Sequence, residues 1–482
     1  MADRGIVPRV TRRPHSRAHG SSPARSRTPE RTAGPKGSRS EAEPGDRPLA
    51  RSAARLGELI VWVLVLATPF AVSFTSVDAF RLPKLMLSEW LGLASLLALS
   101  LAVALGGSRG RGAPHPWWKE PALLAVAPMV AVATLSWLVG DHPRHSRPAV
   151  VDLWIGAACL VGWSLVLDRS RLRRFLAGLA VPATAMAVLA VLQFHGLFRP
   201  FAFVGNLERF RLGVTALAGN PGDLGDYLVL GALVAQWGLL RTAARRPSGR
   251  GIGLWLWAGA LVLAVYGLVA SQTLTAAVAL VAGSLVFWLR ALPRRRALAA
   301  VAAALILAVA AGSLVPPLRS RLVKVGREVA AGDWNSALTG RLDGWRAAVW
   351  MFEEHPWTGV GQGAYRAEFA RAQLALAERG VRPFRGRSEH FFANAHDDYL
   401  EAAAEWGLPG LVALAWALWV LLRSLLAGER PGDGRQQAFA WGVVAAGALL
   451  ALTHFPFHLA LVAYPYLLVF AWISRRAREE TA

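Results

Sequence analysis

The residues best suited to chemistry lie in "FFANAHDDYLEAAAEWGLPG", residues 391–410, where a histidine, two aspartates and two glutamates crowd the start of an apolar run. Asn394 is a good helix N-cap, and Asp397 three residues on favours the first turn of a helix beginning there. His396 would then sit in that first turn, where the macrodipole disfavours imidazolium and helps keep the ring neutral. A neutral imidazole can accept a proton as a general base; the same side chain can equally do no more than satisfy a helix end. A metal site built from His396, Asp397 and Asp398 is disfavoured, because consecutive helical residues point about 100° apart and do not converge on one ion. Glu401 and Glu405 read as a solvated face, and "GLPG" (Gly407 to Gly410) as a kink where the helix enters the bilayer.

A second group lies in "ALTGRLDGWRAAVWMFEEHPWTGVGQGAYR", residues 337–366. Arg341 can hold a phosphate bidentately, or it can be one more solvated or lipid-facing arginine in a chain rich in them. Gly359, Gly361 and Gly363 could cradle phosphate, but no strand precedes them, so they read as turn residues shaping the loop. Upstream, "RFRLGVTALAGNPGDLGDYL" (209–228) offers Arg209 and Arg211, then Asn220, Pro221 and Asp226 at a helix start. That stretch is either an anion site or a basic interfacial flank followed by an Asn-Pro turn.

The elements that must position these residues are membrane helices. Among 482 residues, 54% are hydrophobic and 20 are tryptophan, which fits a polytopic membrane protein rather than a set of soluble domains. The lone cysteine, Cys159, excludes an intrachain disulfide and any metal site built on cysteines. The net charge of +22 falls mainly in an N-terminal tail and in short blocks between apolar runs, a distribution of topology rather than of nucleic-acid binding. Residues 1–56 carry 13 basic and 5 acidic side chains with much Ser, Pro and Gly, and read as a disordered cytoplasmic tail, not a cleaved leader.

Apolar runs of about 20 residues occur near 57–75, 86–106, 121–140, 150–168, 173–193, 222–240, 252–270, 272–289, 297–316, 407–426, 437–454 and 457–473. With the N-terminus inside, the arginine-rich connections all fall on the cytoplasmic side and the alternate ones carry few basic residues. The expected organisation is a tail (1–56), nine membrane helices (57–316, with an external loop at 194–221), a large periplasmic loop (317–397), three more helices (398–474) and a cytoplasmic tail (475–482). Within the large loop, Leu342, Trp345, Val349 and Phe352 recur at helical spacing until Pro356. That pattern predicts an amphipathic helix on the outer surface of the bundle.

The two late segments together resemble the O-antigen ligase and O-antigen polymerase superfamily of bacterial membrane glycosyltransferases. "GRLDGWRAAVWMFEEHPWTGVGQGAYR" is similar to that family's Arg-x-x-x-Trp…His-Pro-x-x-Gly-x-Gly signature. "NAHDDYLEAAAEWGLPGL" is similar to its His-Asn-x-Tyr-Leu…Glu-x-Gly-x-x-Gly signature, with Asp397 where asparagine is frequent. "RLGVTALAGNP" matches an earlier external Arg…Gly…Asn-Pro segment less specifically. The resemblance implies an all-α fold of about 12 transmembrane helices with a large helical periplasmic loop. It makes Arg341 and His396 the essential pair and Arg211 an additional donor-phosphate arginine. Trp345, His355, Gly359, Gly361, Gly363, Asn394, Asp397 and Tyr399 take supporting positions.

The donor implied is a glycan on undecaprenyl pyrophosphate, and the acceptor a hydroxyl of the lipid A core or of a growing glycan. No metal or other cofactor and no nucleic acid is expected, and the setting is the bacterial inner membrane with both termini cytoplasmic. Arginines would stabilise the departing pyrophosphate and His396 would activate the acceptor, inverting the anomeric carbon. Ligase is the preferred reading; a repeat-unit polymerase and a protein O-oligosaccharyltransferase share these motifs. A transporter or flippase of lipid-linked oligosaccharide would instead place ionisable residues near the bilayer midplane.

Overall fold

Long runs of Leu, Ala, Val and Trp in lipid must satisfy their own backbone polar groups, and helices do so within one segment. The computed structural model describes residues 48–106, 116–200, 214–244, 251–302, 313, 316–381, 391–427 and 434–481, with no strand among them. Helices α1 (Pro48–Ala67), α2 (Arg81–Ala104), α3 (Pro121–Val139), α4 (Pro143–Val166), α5 (Arg169–Gly178) and α6 (Ala180–Phe194) come first. They are followed by α7 (Pro221–Ala243), α8 (Gly251–Ser271) and α9 (Leu274–Ala291). A segment of shorter helices follows: α10 (Pro316–Ala330), α11 (Trp334–Ala337), α12 (Arg341–Glu354) and α13 (Tyr365–Glu378). The chain ends with α14 (Asp398–Ala427), α15 (Gly434–Ala451) and α16 (Ala460–Thr481).

Among the described residues, eight helical stretches are long and apolar enough to cross a membrane: Pro48–Phe70, α2, α3, α4, α5 with α6, α8, α9 and α14. Helices α7, α15 and α16 coincide with three more of the expected spans but fall outside those eight, since their ends are polar or charged. The expected span at 297–316 lies mostly outside the described residues; 294–302 are helical.

The centre is α7, in which every residue from Asp223 to Gly238 is buried. Small residues let its neighbours close in, as is common between membrane helices. A Cβ at Gly231 would lie 2.5 Å from Ala183 Cβ of α6, and one at Gly238 would lie 2.2 Å from the Trp257 ring of α8.

Several boundaries differ from expectation. Helix α1 begins at Pro48, so residues 48–56, expected in the tail, form its first turns. At the other end α16 runs on through the expected tail to Thr481, because that stretch is tied in: Arg478 Nη1 lies 2.7 Å from Glu120 Oε2, and Arg475 Nη1 donates to the Leu165 carbonyl at 3.2 Å. The amphipathic stripe of α12 is rotated from the expected one. Its buried residues are Asp343, Gly344, Ala347, Ala348, Trp350 and Met351, whereas Val349 is 43% exposed. The partner of that face is a cluster of small and aromatic side chains within the same segment, including Tyr365, Phe369, Ala372 and Ala395.

Candidate active site

Position 396 is set by a clamp from the next helix. Glu401, in the first turn of α14, accepts from Asn394 Nδ2 at 2.8 Å and from the buried Ala395 N–H at 2.7 Å. The expected cap is therefore displaced: Asn394 does not cap, and Asp397 does, accepting from Tyr399 N and Leu400 N at 2.9 Å each. An aspartate immediately before the helix competes better for those two N–H groups than an asparagine three residues further out. Burial pushes the Asp397 carboxyl up while the two backbone bonds oppose it. His396 thus lies outside the first turn, with φ +60°. A non-glycine residue seldom adopts that conformation, and the clamp holds it there.

Glu401 and Glu405 are both 3% exposed, so the solvated face expected of them is wrong: these acids are internal hydrogen-bond acceptors. Glu405 accepts the buried Tyr365 N–H at 3.1 Å. Tyr365, its phenol pushed well above its ordinary range by burial and by Glu401, Glu405 and Asp343, donates from Oη to the Gly344 carbonyl at 2.9 Å.

Arg341 is the first residue of α12, entered through Thr339 and Gly340, both at positive φ. The two late motifs meet through this helix. Trp345, one turn after Arg341, donates its indole N–H to the His396 carbonyl at 3.3 Å, and a Cβ at Gly344 would lie 2.8 Å from the Ala395 carbonyl. The motif glycines serve the same docking. At φ +64° a Cβ on Gly359 would sit 2.1 Å from the Glu405 carbonyl. Val360 N and Gly361 N donate to the Ala404 and Glu405 carbonyls at 2.9 and 3.1 Å, Gly363 abuts Ala149, and the His355 carbonyl accepts from Gly359 N at 2.9 Å. Helix α14 breaks at Gly407, the expected kink, where Leu408 N reaches back to the Pro356 carbonyl at 2.7 Å. Tyr399 Oη donates to the Ala448 carbonyl at 3.3 Å.

The structure adds residues that the sequence reading did not assign. Arg81, opening α2, grips Asp223 of α7 with both Nε and Nη2 at 2.7 and 2.8 Å. His454, in the short link between α15 and α16, holds Asp226 through Nδ1 at 2.7 Å, and its Nε2 lies 4.0 Å from Asp223 Oδ1. The His454 ring is 5.7 Å from that of His396, and Phe455 packs on both, 4.3 and 4.9 Å away. The charge of Arg341 reaches Asp226. Five distant parts of the chain therefore converge where helix ends meet: the starts of α2, α7 and α12, the residue preceding the cap of α14, and the α15–α16 link. Asn220 caps α7 by accepting from Gly222 N at 2.8 Å. Arg209 and Arg211 lie outside the described residues.

A second histidine of the α15–α16 link, His458, bonds Asp398 at 3.0 Å and lies 3.5 Å from Glu401. Burial alone would depress it, but Glu401 and Asp398 raise it to about 10. Inside the bundle, Glu89 of α2 and Asp152 of α4 are hydrogen-bonded to each other. Among the described residues, no group of three or more His, Cys, Asp and Glu side chains is placed to hold a metal ion.

Apolar helices of bilayer length, with arginine, histidine and carboxylate groups gathered at their ends, define a helical membrane protein with a polar site where helix ends meet. Residues 259–415, which include Arg341 and His396, match the family model described as O-antigen ligase, and the match supports the O-antigen ligase and polymerase superfamily. No curated protein matches the chain.

Proposed function

We propose that this protein is a glycosyltransferase of the O-antigen ligase kind, moving a glycan from undecaprenyl pyrophosphate to a hydroxyl of the lipid A core. The observation that carries this reading is the joining of the two motifs: the Trp345 indole donates to the His396 carbonyl, fixing Arg341 and His396 on one framework. Arg341, with Arg211, stabilises the charge that develops on the departing pyrophosphate. His396 accepts the proton of the acceptor hydroxyl as its oxygen bonds to the anomeric carbon and the bond to pyrophosphate breaks. Attack from the face opposite the leaving group inverts that carbon. The chain would cross the inner membrane about twelve times with both termini cytoplasmic. Residues 317–397 would lie on the periplasmic side, where the energy of transfer already resides in the glycosyl–pyrophosphate bond.

The test is a lipopolysaccharide gel of the host after deletion of the gene, with rescue by wild type and by His396→Ala. The expected result is loss of long chains from the core, polymer retained on undecaprenyl pyrophosphate, and rescue by wild type only. A core bearing a single repeat unit would make the protein a polymerase. An unchanged gel would refute lipid A core as the acceptor and direct the search to protein or exopolysaccharide.

A further inference from the structure

Asp226 is fully buried, lies outside the segment that carries the two motifs, and is engaged on one oxygen only. Its Oδ2 takes the His454 Nδ1 contact; its Oδ1 has no hydrogen-bond partner among the described residues. A buried carboxylate oxygen left in this state costs free energy unless a cation or a donor stands near it. Arg341 and Arg81 both act on it electrostatically. His454, 4% exposed, is fixed on three sides: by Asp226, by the stacked Phe455 ring, and by Gly222, where a Cβ would lie 2.9 Å from Nε2. The His396 ring lies 5.7 Å from it and Asp223 Oδ1 4.0 Å from its Nε2. The other charged or titratable groups around the pair are Arg81 and Asp223, bound to each other, and Tyr466 of α16, which feels the Asp226 charge.

We propose, resting on the transfer reaction assigned above, that Asp226 and His454 are positioning residues for it. The carboxylate anchors the His454 imidazole and that ring braces His396, while Trp345 ties the helix of Arg341 to the same residue, so the base and the phosphate-binding cation share one support. The arrangement has the logic of a carboxylate orienting an imidazole, but the oriented ring acts on a second histidine instead of on substrate. It explains why a fully buried aspartate and a histidine 228 residues apart in the chain meet at this point. Neither residue need touch the glycan.

The experiment is the rate of glycan transfer against pH in host membrane vesicles, which carry their own donor and acceptor. Wild type is compared with Asp226→Asn, Asp226→Glu and His454→Phe, and the amount of each protein in the membrane is measured alongside. Asp226→Asn is expected to slow transfer by roughly 10- to 100-fold, the scale of a misplaced reacting group. Removing a negative charge near His396 should also move the acid limb of the profile down by about one pH unit. Asp226→Glu should recover part of the rate. His454→Phe keeps a ring against His396 and Phe455 but loses the Asp226 contact, so it should also slow transfer at normal protein abundance. Wild-type rate and acid limb in Asp226→Asn would overturn the proposal. So would full rate in His454→Phe, which decides the matter if the asparagine variant fails to accumulate. No transfer by wild type would sink the underlying function instead.

Discussion

Replacing Glu401 by alanine should disable the candidate site without touching either of its reacting groups. The carboxylate holds Asn394 Nδ2 and Ala395 N–H at 2.8 and 2.7 Å, and Ala395 is fully buried. Hydrogen bonds to a charged acceptor contribute about 1.5–3 kcal/mol each, so together they hold the 394–396 turn by roughly 3–6 kcal/mol. Against them stands the left-handed backbone of His396, φ +60°, which costs about 1–2 kcal/mol for a residue with a Cβ. In Glu401→Ala that strain is unopposed and a buried N–H is orphaned. The native turn then becomes the minority conformer by about 1–2 kcal/mol, and transfer should fall by roughly 5- to 30-fold. Glu401→Gln keeps one acceptor oxygen and should lose only a few-fold. The assay is transfer in membrane vesicles together with amide hydrogen exchange over residues 391–397, which should quicken in the alanine variant. Full activity with unchanged exchange would show that the turn does not depend on Glu401.

Three further outcomes are expected. Arg341→Lys keeps the charge but loses the planar fork, and should reduce transfer by about 10-fold or more while the protein inserts normally; an unchanged rate in the vesicle assay would remove Arg341 from the site. Gly359→Ala places a Cβ 2.1 Å from the Glu405 carbonyl at φ +64°, whereas Gly380→Ala, at φ +81° with nothing within 4 Å, meets strain alone. Thermal unfolding should show the first to be clearly more damaging, and equal losses would mean that the loop does not dock there. His458, raised to about 10 between Asp398 and Glu401, has a folded value above its unfolded one of about 6.5. Its contribution to stability is therefore fully present below about pH 6.5 and lost as pH rises through about 10. His458→Gln should flatten the alkaline loss of thermal stability between those limits, and identical curves would show no such contribution.

How much of the site is legible in sequence follows from where each signal resides. Arg341 with Trp345, and His396 with Asp397, are local patterns, and the helix through 341–354 and the break at Gly407 both have local causes that short-range rules detect. Asn394 was misread because two residues within three positions could cap the same helix, and only the direction of the chain decides between them. Glu401 and Glu405 were misread because periodicity shows which residues share a helix face but not what covers it. Glu401 is covered by the Asn394–Ala395 turn, and Glu405 by the loop after Pro356, brought in by Gly359 at a distance no other residue would allow. Arg81, Asp223 and His454 had weaker signals still: an arginine opening a span, an aspartate on the first turn of another, and a histidine in a short link. Such groups in spans are costly unless paired, and each of these has its partner in another helix. A charged residue at the start of an apolar run is explained locally as an interfacial flank, and that explanation hides the long-range pair. The pairs Arg81–Asp223 and Asp226–His454 both close on the first two turns of α7. The most buried helix of the bundle therefore supplies the carboxylates that gather the site, although it carries neither motif.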